Sequence, residues 1–194
     1  MKYGELNLGQ IEAIVNKLGG MEGVQQFLSG TLVVAKTTAF ALLERVGIVN
    51  LSDIGKFVSR EHFTIDNKEV KIAWIGDNFR NNFLSKVEEA QAKTTLCISK
   101  LKKSSLDALI MIELGSVTET TLANIWQMFK KQPNGESGKL LIDGHANIFY
   151  VCDAKGVFWA VRVYWDGDGW DVNALSVEDS DGWCGGNLVF SRNS

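Results

Sequence analysis

The amino-acid sequence predicts an α+β protein in which a helical N-terminal region precedes a mixed body that ends in an antiparallel β-meander. In residues 7–30, apolar side chains recur at helical spacing and glycines punctuate them. In residues 147–193, apolar and polar side chains alternate between short turn signals, as they do in half-buried antiparallel strands. We therefore expect a helical module over residues 1–35 and an α+β body over residues 36–194, with the meander over about 139–194.

Two short helices are predicted at the N-terminus. Asn7 is placed to cap the first helix, whose apolar residues Ile11, Ile14 and Leu18 form one stripe. A Gly-Gly pair ends this helix, and the second helix runs to Gly30. Because the second helix has no basic or amide-rich outer face, we interpret the pair as packing elements and not as a DNA-binding helix-turn-helix.

The segment after these helices gives weaker patterns. We expect a strand over residues 31–35, a helix over 38–46, a helical turn over 52–58, and a β-hairpin that joins 63–65 to 70–75.

The middle of the chain alternates helices with one strand over residues 94–99. The helix after Thr118 has the clearest apolar side, and we expect it to continue to Lys131. The only proline, Pro133, lies in a Gly-rich loop that separates this region from the meander. Three helices are predicted, beginning at Asp77 or Asn78, at Ser104 or Ser105, and at Thr118.

The meander is predicted from turn chemistry and strand alternation. Gly167-Asp168 fits a two-residue hairpin turn, which sets Trp165 opposite Trp170. A three-residue loop would instead set Trp165 opposite Asp171. We prefer the shorter loop because it keeps one face apolar. The other predicted strands are residues 148–152, 157–166 and 187–191.

In this register the two faces of the hairpin differ in character. Trp159, Trp165 and Trp170 lie on the core face. Near the turn the opposite face is polar, with Arg162 diagonal to Asp171 as an exposed ion pair. Farther from the turn that face is apolar, and we expect the helix over residues 118–131 to cover it. The apolar residues there are Phe158, Ala160, Leu175 and Val177.

A candidate ligand-binding surface follows from the same register. Trp183 lies in an acidic loop with Asp179 and Asp181, and it is the best candidate for an exposed aromatic residue. Tyr164 and Arg162 extend the surface from the hairpin. Such an acidic, aromatic surface indicates a non-enzymatic binding or protein-interaction module whose partner is a protein or a small polar ligand. Because sugar-binding sites place aromatic rings beside carboxylates, a carbohydrate-binding module is one alternative.

The other alternative is a papain-like cysteine hydrolase that uses Cys97 and His145. Cys97 precedes His145 in the chain, as the nucleophile precedes the histidine in such enzymes. Their nucleophile usually begins a helix, where the helix N-terminus lowers the pKa of the thiol. Because Cys97 lies in the predicted strand over residues 94–99, we interpret it as a structural cysteine.

No metal site or cofactor is predicted. The acidic turn over residues 166–171 superficially resembles a calcium loop, which requires an oxygen ligand at its fifth position, Gly at its sixth and Glu at its twelfth. Trp170, Asp171 and Val177 stand at those positions. The sequence also lacks a Walker loop and a dinucleotide-binding fingerprint.

Composition and charge describe an ordinary globular protein. The chain has 194 residues, of which 45% are hydrophobic and 22% charged, and its formal net charge is −3. These values argue against disorder, and the charge gives no reason to expect nucleic acid as a partner. Three cysteines are too few for a disulfide framework. Without an apolar signal-peptide run or a stretch of about 20 apolar residues, we expect a cytoplasmic protein with no membrane partner.

Both ends of the chain resemble a family of uncharacterised bacterial proteins that come mainly from candidate-phyla genomes. At the N-terminus the resemblance lies in residues 7–13, 16–20 and 27–30; at the C-terminus it lies in residues 146–150, 165–170 and 189–193. It implies a modular bacterial protein whose N-terminal helices are reused on other bodies. It supplies no catalytic residues.

Overall fold

The computed structural model describes residues 7–31, 41–179 and 181–193. The chain divides between residues 40 and 41 into two units. Helices at the N-terminus and a large mixed sheet with C-terminal antiparallel strands confirm the predicted α+β class. The predicted boundary between residues 35 and 36 lies outside the described residues, as does the predicted strand beyond Thr31. Within the described ranges, no helix is long and apolar enough to cross a membrane.

The first unit contains two helices, α1 (Leu8–Lys17) and α2 (Gly20–Leu28). Asn7 caps α1 as predicted: its side chain accepts a hydrogen bond from the Gln10 backbone N at 2.9 Å, and the Gln10 side chain accepts one from the Asn7 N at 3.0 Å. These reciprocal bonds form a capping box, which satisfies backbone donors that a helix N-terminus leaves free.

In the second unit, seven of the described strands form one sheet with the order β1-β5-β9-β6-β7-β8-β3. Strands β2 and β4 form a separate two-stranded ribbon. The strands are β1 (Leu43–Leu51), β2 (Phe57–Val58), β3 (Ile72–Ile75), β4 (Val87–Glu88), β5 (Thr94–Leu101), β6 (Asn147–Cys152), β7 (Phe158–Trp165), β8 (Trp170–Ser176) and β9 (Leu188–Arg192). The helices are α3 (Ser59–His62), α4 (Asp77–Phe83), α5 (Asp107–Leu114) and α6 (Leu122–Phe129), with a 3-10 turn at Gly115–Val117.

The hairpin register is confirmed. Strand β7 pairs antiparallel with β6 and β8, and Trp165 lies opposite Trp170, as the two-residue turn requires. The last strand does not continue the meander beyond β8, because β9 lies between β5 and β6 and runs parallel to β6.

Three predictions for residues 38–75 are wrong. Strand β1 occupies the described part of the predicted helix over 38–46, because its backbone pairs with β5. The predicted helical turn over 52–58 is extended and ends in β2. No strand forms over 63–65, because Asn67 organises a loop there: its amide donates to the His62 O at 2.9 Å and accepts from the Glu69 N at 2.8 Å. Strand β3 pairs parallel with β8 instead.

The two helices on the sheet also differ from expectation. Helix α6 begins after Thr121 and not after Thr118, because Thr121 makes the capping box. It packs on the tryptophan face, together with Val161, Val163 and Trp170. The opposite face of the hairpin is covered by residues of α5, including Ile110. The polar residues at the turn end of that opposite face border a cavity.

Candidate functional site

A cavity of about 560 Å³ lies on the α5 side of the sheet, between the hairpin β7–β8 and the loop before β9. Arg162 and Tyr164 reach it from β7, because alternate residues of a strand point to the same face. Asp179, Asp181 and Trp183 reach it from the loop. All five predicted ligand-binding residues therefore line one cavity, although residues 165–178 separate the two groups in sequence.

Asp107, which was not predicted as a site residue, also lines this cavity. It is the first residue of α5 and is only 2% exposed. Its Oδ1 accepts two hydrogen bonds, from the Tyr150 hydroxyl at 2.6 Å and from the Trp183 Nε1 at 2.7 Å. In sequence this residue looks like an ordinary acid in the first turn of a helix. Only the folded chain shows that its carboxylate is buried.

The surroundings of Asp107 make its carboxyl group harder to ionise than an exposed one. Burial raises the pKa of Asp107, hydrogen bonds from Tyr150 and Trp183 oppose that rise, and the charge of Asp179 adds to it. Burial, together with the Asp107 charge, also raises the pKa of Tyr150, so that its hydroxyl stays a donor. Within the described part of the chain, no lysine, arginine or histidine forms an ion pair with Asp107. A buried carboxylate without a cation costs stability.

Trp183 is not the exposed aromatic residue that the sequence predicts. It is 7% exposed, and its indole N–H is used by Asp107. Its backbone pairs with Ser105 through two hydrogen bonds of 2.8 and 3.0 Å, which fix the loop against the start of α5. Because a buried indole needs an acceptor, the nearby carboxylate favours the inward position. Trp183 therefore forms part of the cavity wall and not a free platform.

Arg162 lacks the ion pair predicted for it. The register sets Arg162 opposite Asn173 and Tyr164 opposite Asp171, as expected, but Arg162 and Asp171 make no ion pair with each other. Arg162 is half-buried, and its Nε is inaccessible and has no hydrogen-bond acceptor among the described residues. Its guanidinium lies 6.0 Å from the centre of the Tyr164 ring. The guanidinium thus reaches the cavity without a direct ion pair to a described carboxylate, although its charge acts on nearby Asp171 and opposes the rise in the pKa of that residue.

His145 lines the cavity, but Cys97 is not among the residues that line it. Cys97 lies opposite Ser191 on β9. His145 lies near the other end of β9, because the carbonyl of the next residue, Ala146, accepts a hydrogen bond from the Leu188 N. Three residues of β9 separate these points, which is about 10 Å along a strand. The Cys97 thiol lies 3.8 Å from the Ser99 hydroxyl. The structure therefore does not bring Cys97 and His145 together as a catalytic dyad.

A different cysteine shares the cavity with His145. Cys184 is exposed and lines it, and sequence reasoning did not select this residue because it follows no recognisable motif. The His145 Nδ1 lies 3.1 Å from the Asp143 Oδ1, which orients the ring. The ring packs over Gly186, where a Cβ atom would come within 2.7 Å of it. Gly186 also has a φ of 102°, so only glycine fits this position well.

The described residues contain no group of three or more His, Cys, Asp or Glu side chains that could hold a metal ion. At the acidic hairpin turn, the Asp166 Oδ1 accepts hydrogen bonds from the Asp168 and Gly169 backbone N atoms at 2.9 and 3.1 Å. This carboxylate therefore closes the turn.

The cavity thus combines neutral hydrogen-bonding groups with acidic side chains and an arginine that form no ion pair with one another. Such a lining can hold a polar molecule through ion pairs and hydrogen bonds at the same time. Comparisons with protein-family models, with curated proteins and with solved structures found no match to this chain.

Proposed function

We propose that the protein is a non-enzymatic binding module that holds a small polar ligand in this cavity. One observation carries the proposal: α5, β7 and the loop before β9 bring Asp107, Arg162 and Asp179 to one cavity without pairing them with each other. Buried charges cost free energy unless they are paired, and strongly perturbed groups in a cleft are typical of functional sites. A ligand that pairs with Asp107, which is buried, and with Arg162, which is half-buried, would reduce that cost, and the exposed Asp179 would add to the attraction for a cation.

The size and shape of the space favour a small molecule over a protein partner. Small-molecule sites are concave and usually enclose about 300–1,000 Å³, and this cavity of about 560 Å³ falls within that range. Its charged lining is suited to a polar ligand and not to an apolar one. The resemblance to bacterial modular proteins and the three free cysteines support a bacterial, cytoplasmic setting.

Binding should appear as thermal stabilisation. We expect at least one compound in a panel of free amino acids, monosaccharides, polyamines and dicarboxylates to raise the melting temperature. At about ten times its Kd, a ligand stabilises the native state by about 1.4 kcal/mol, which corresponds to roughly 3–6 °C for a chain of this size. Differential scanning fluorimetry measures this shift.

A cavity-filling variant gives the control. Leu175 lines the cavity and is partly buried, so Leu175→Trp should occupy the space and abolish the shift. Leu175→Met conserves the side-chain volume and should therefore keep the thermal shift. The proposal fails if no compound stabilises the native protein, or if the shift survives in a folded Leu175→Trp variant.

Cys184 provides a second candidate function, because it shares the cavity with His145 and the Asp143 carboxylate orients the His145 ring. A cysteine hydrolase built on this site would use Cys184 and not Cys97 as its nucleophile. Cys184 lies in the loop before β9 and not at the start of a helix, where such enzymes usually hold their nucleophile. We therefore rank this function below ligand binding.

The two functions differ in the reactivity expected of Cys184. For a binding module, iodoacetamide should label Cys184 at neutral pH no faster than it labels a free cysteine peptide. Peptide mapping by mass spectrometry, with Cys184→Ser as the blank, measures the rate. Rapid labelling at acidic pH that His145→Ala abolishes would instead show an activated nucleophile and favour the hydrolase.

A further inference from the structure

We propose that the ligand is a zwitterion of the α-amino acid class, with an ammonium group that pairs with Asp107 and a carboxylate that pairs with Arg162. This inference rests on the proposed binding function and specifies its ligand.

The anionic side of the cavity is built around Asp107. Its carboxylate is 2% exposed, and Tyr150 and Trp183 both donate to the same oxygen, Oδ1. No described cation pairs with it, although it lines the cavity. Asp179 lines the same space and adds negative potential. An ammonium group, which carries three donors and a positive charge, would compensate this side.

The cationic side of the cavity is Arg162. Arg162 lines the cavity, and a guanidinium presents a planar fork of donors that matches a carboxylate. No described carboxylate forms an ion pair with Arg162. A carboxylate on the ligand would therefore make the direct ion pair that the described residues do not supply, while Asp171 interacts with Arg162 only at longer range.

The sheet register relates the Asp107 side of the cavity to the Arg162 side. Tyr150, whose hydroxyl contacts Asp107, pairs with Ala160 across β6 and β7. Arg162 lies two residues farther along β7 on the same face. Diagonal neighbours of this kind have their side chains about 7–8 Å apart. The side chain that holds Asp107 and the side chain of Arg162 therefore lie on one face of the sheet, and Asp107 and Arg162 line the same cavity.

The signs of the charges exclude the simpler ligand classes. A purely anionic ligand would bind Arg162 but would be repelled by Asp107 and Asp179. A polyamine would satisfy the acids but would leave Arg162 unpaired beside a second positive charge. A neutral sugar would leave both charges uncompensated. Only a ligand with both charges satisfies the two sides together.

The experiment compares three forms of one ligand. The free L-amino acids are screened by thermal shift, and the strongest is titrated calorimetrically beside its N-acetyl derivative and its carboxamide. We expect each derivative to bind at least about tenfold more weakly than the free amino acid, since each lacks one charge-assisted pair. Monosaccharides and polyamines are included in the same screen.

Two variants test which side chain recognises the ammonium group of the ligand and which recognises its carboxylate. Asp107→Asn keeps an oxygen that can accept from Tyr150 and Trp183, so it should remain folded while losing discrimination between the free amino acid and its N-acetyl derivative. Arg162→Met keeps the aliphatic stem and should lose discrimination against the carboxamide. Lys155→Met, at an exposed turn residue, should change neither preference.

Each other outcome has a defined meaning. A derivative that binds as well as the free amino acid overturns the zwitterion inference, and so does a screen in which only sugars or only polyamines stabilise the protein. In those cases the proposal that the cavity binds a small polar ligand is still supported. A screen in which no compound stabilises the protein overturns both proposals.

Discussion

Replacing Trp170 by alanine is expected to lower the free energy of unfolding by about 3–5 kcal/mol, the usual loss for a buried tryptophan. The indole is fully buried and stacks on Phe129, with ring centres 5.2 Å apart. Its Nε1 donates to the Gln132 carbonyl at 2.9 Å. Alanine would leave an apolar cavity and would remove one of the two donors to the Gln132 carbonyl, since the Gly135 N remains 3.2 Å from it.

The residue opposite Trp170 provides the matched control. Trp165 contacts the same ring edge-on at 5.2 Å but is only half-buried, so Trp165→Ala should cost less. Urea denaturation followed by circular dichroism measures both losses. If Trp165→Ala were the more damaging change, the packing of α6 on this face would be wrong.

Glu88→Ala is expected to cost a similar amount, about 3–5 kcal/mol, because it breaks a buried charged network. The Glu88 carboxylate is 7% exposed and accepts from the backbone N atoms of Leu122 and Ala123 at 3.0 and 2.9 Å. It therefore caps α6, all of whose residues are buried. The Lys86 Nζ lies 3.4 Å from the same carboxylate. Alanine would leave two helix donors without their acceptor and Lys86 without its ion-pair partner, although the Lys86 Nζ also donates to the Cys152 carbonyl.

The neighbouring Glu89 provides a control that distinguishes the capping role of Glu88 from the general effect of removing a negative charge. Glu89 is exposed, so Glu89→Ala should change stability by no more than about 0.5 kcal/mol. Glu88→Gln keeps one acceptor oxygen and should fall between the two. Chemical denaturation of the three variants tests this order, and equal losses for Glu88→Ala and Glu89→Ala would contradict it.

Local chemistry explains which parts of the fold could be predicted. The β7–β8 register follows from a two-residue turn and strict alternation, both of which lie within residues 157–176. Strand β1 could not be found in this way, because pairing with β5 outweighs any local preference. The position of β9 beside β6 is equally non-local. The position of α6 on the tryptophan face, with α5 on the other, has the same origin, since two apolar helices do not specify which side of a sheet each one covers.

The same limit applies to the site. Composition indicated an acidic, aromatic surface, and all of its named residues line one cavity. The inward position of Trp183 depends on Asp107, which is far away in sequence and carries no local signal of burial. Cys184 was not selected for a similar reason, because only the fold brings it to the cavity that His145 also lines. Predictions for single residues therefore failed where their partners came from another element.

The central position of β9 governs how the protein can be made. The ribosome completes β5 long before β9, and at about 5–20 residues per second the interval is roughly 4–17 s. Until β9 inserts, the β1–β5 pair and the β6–β7–β8 group share no hydrogen-bonded neighbour, and each exposes an unpaired edge. A tag, surface anchor or cleavage that restrains residues 188–192 would therefore divide the sheet through its middle and would not merely trim its border.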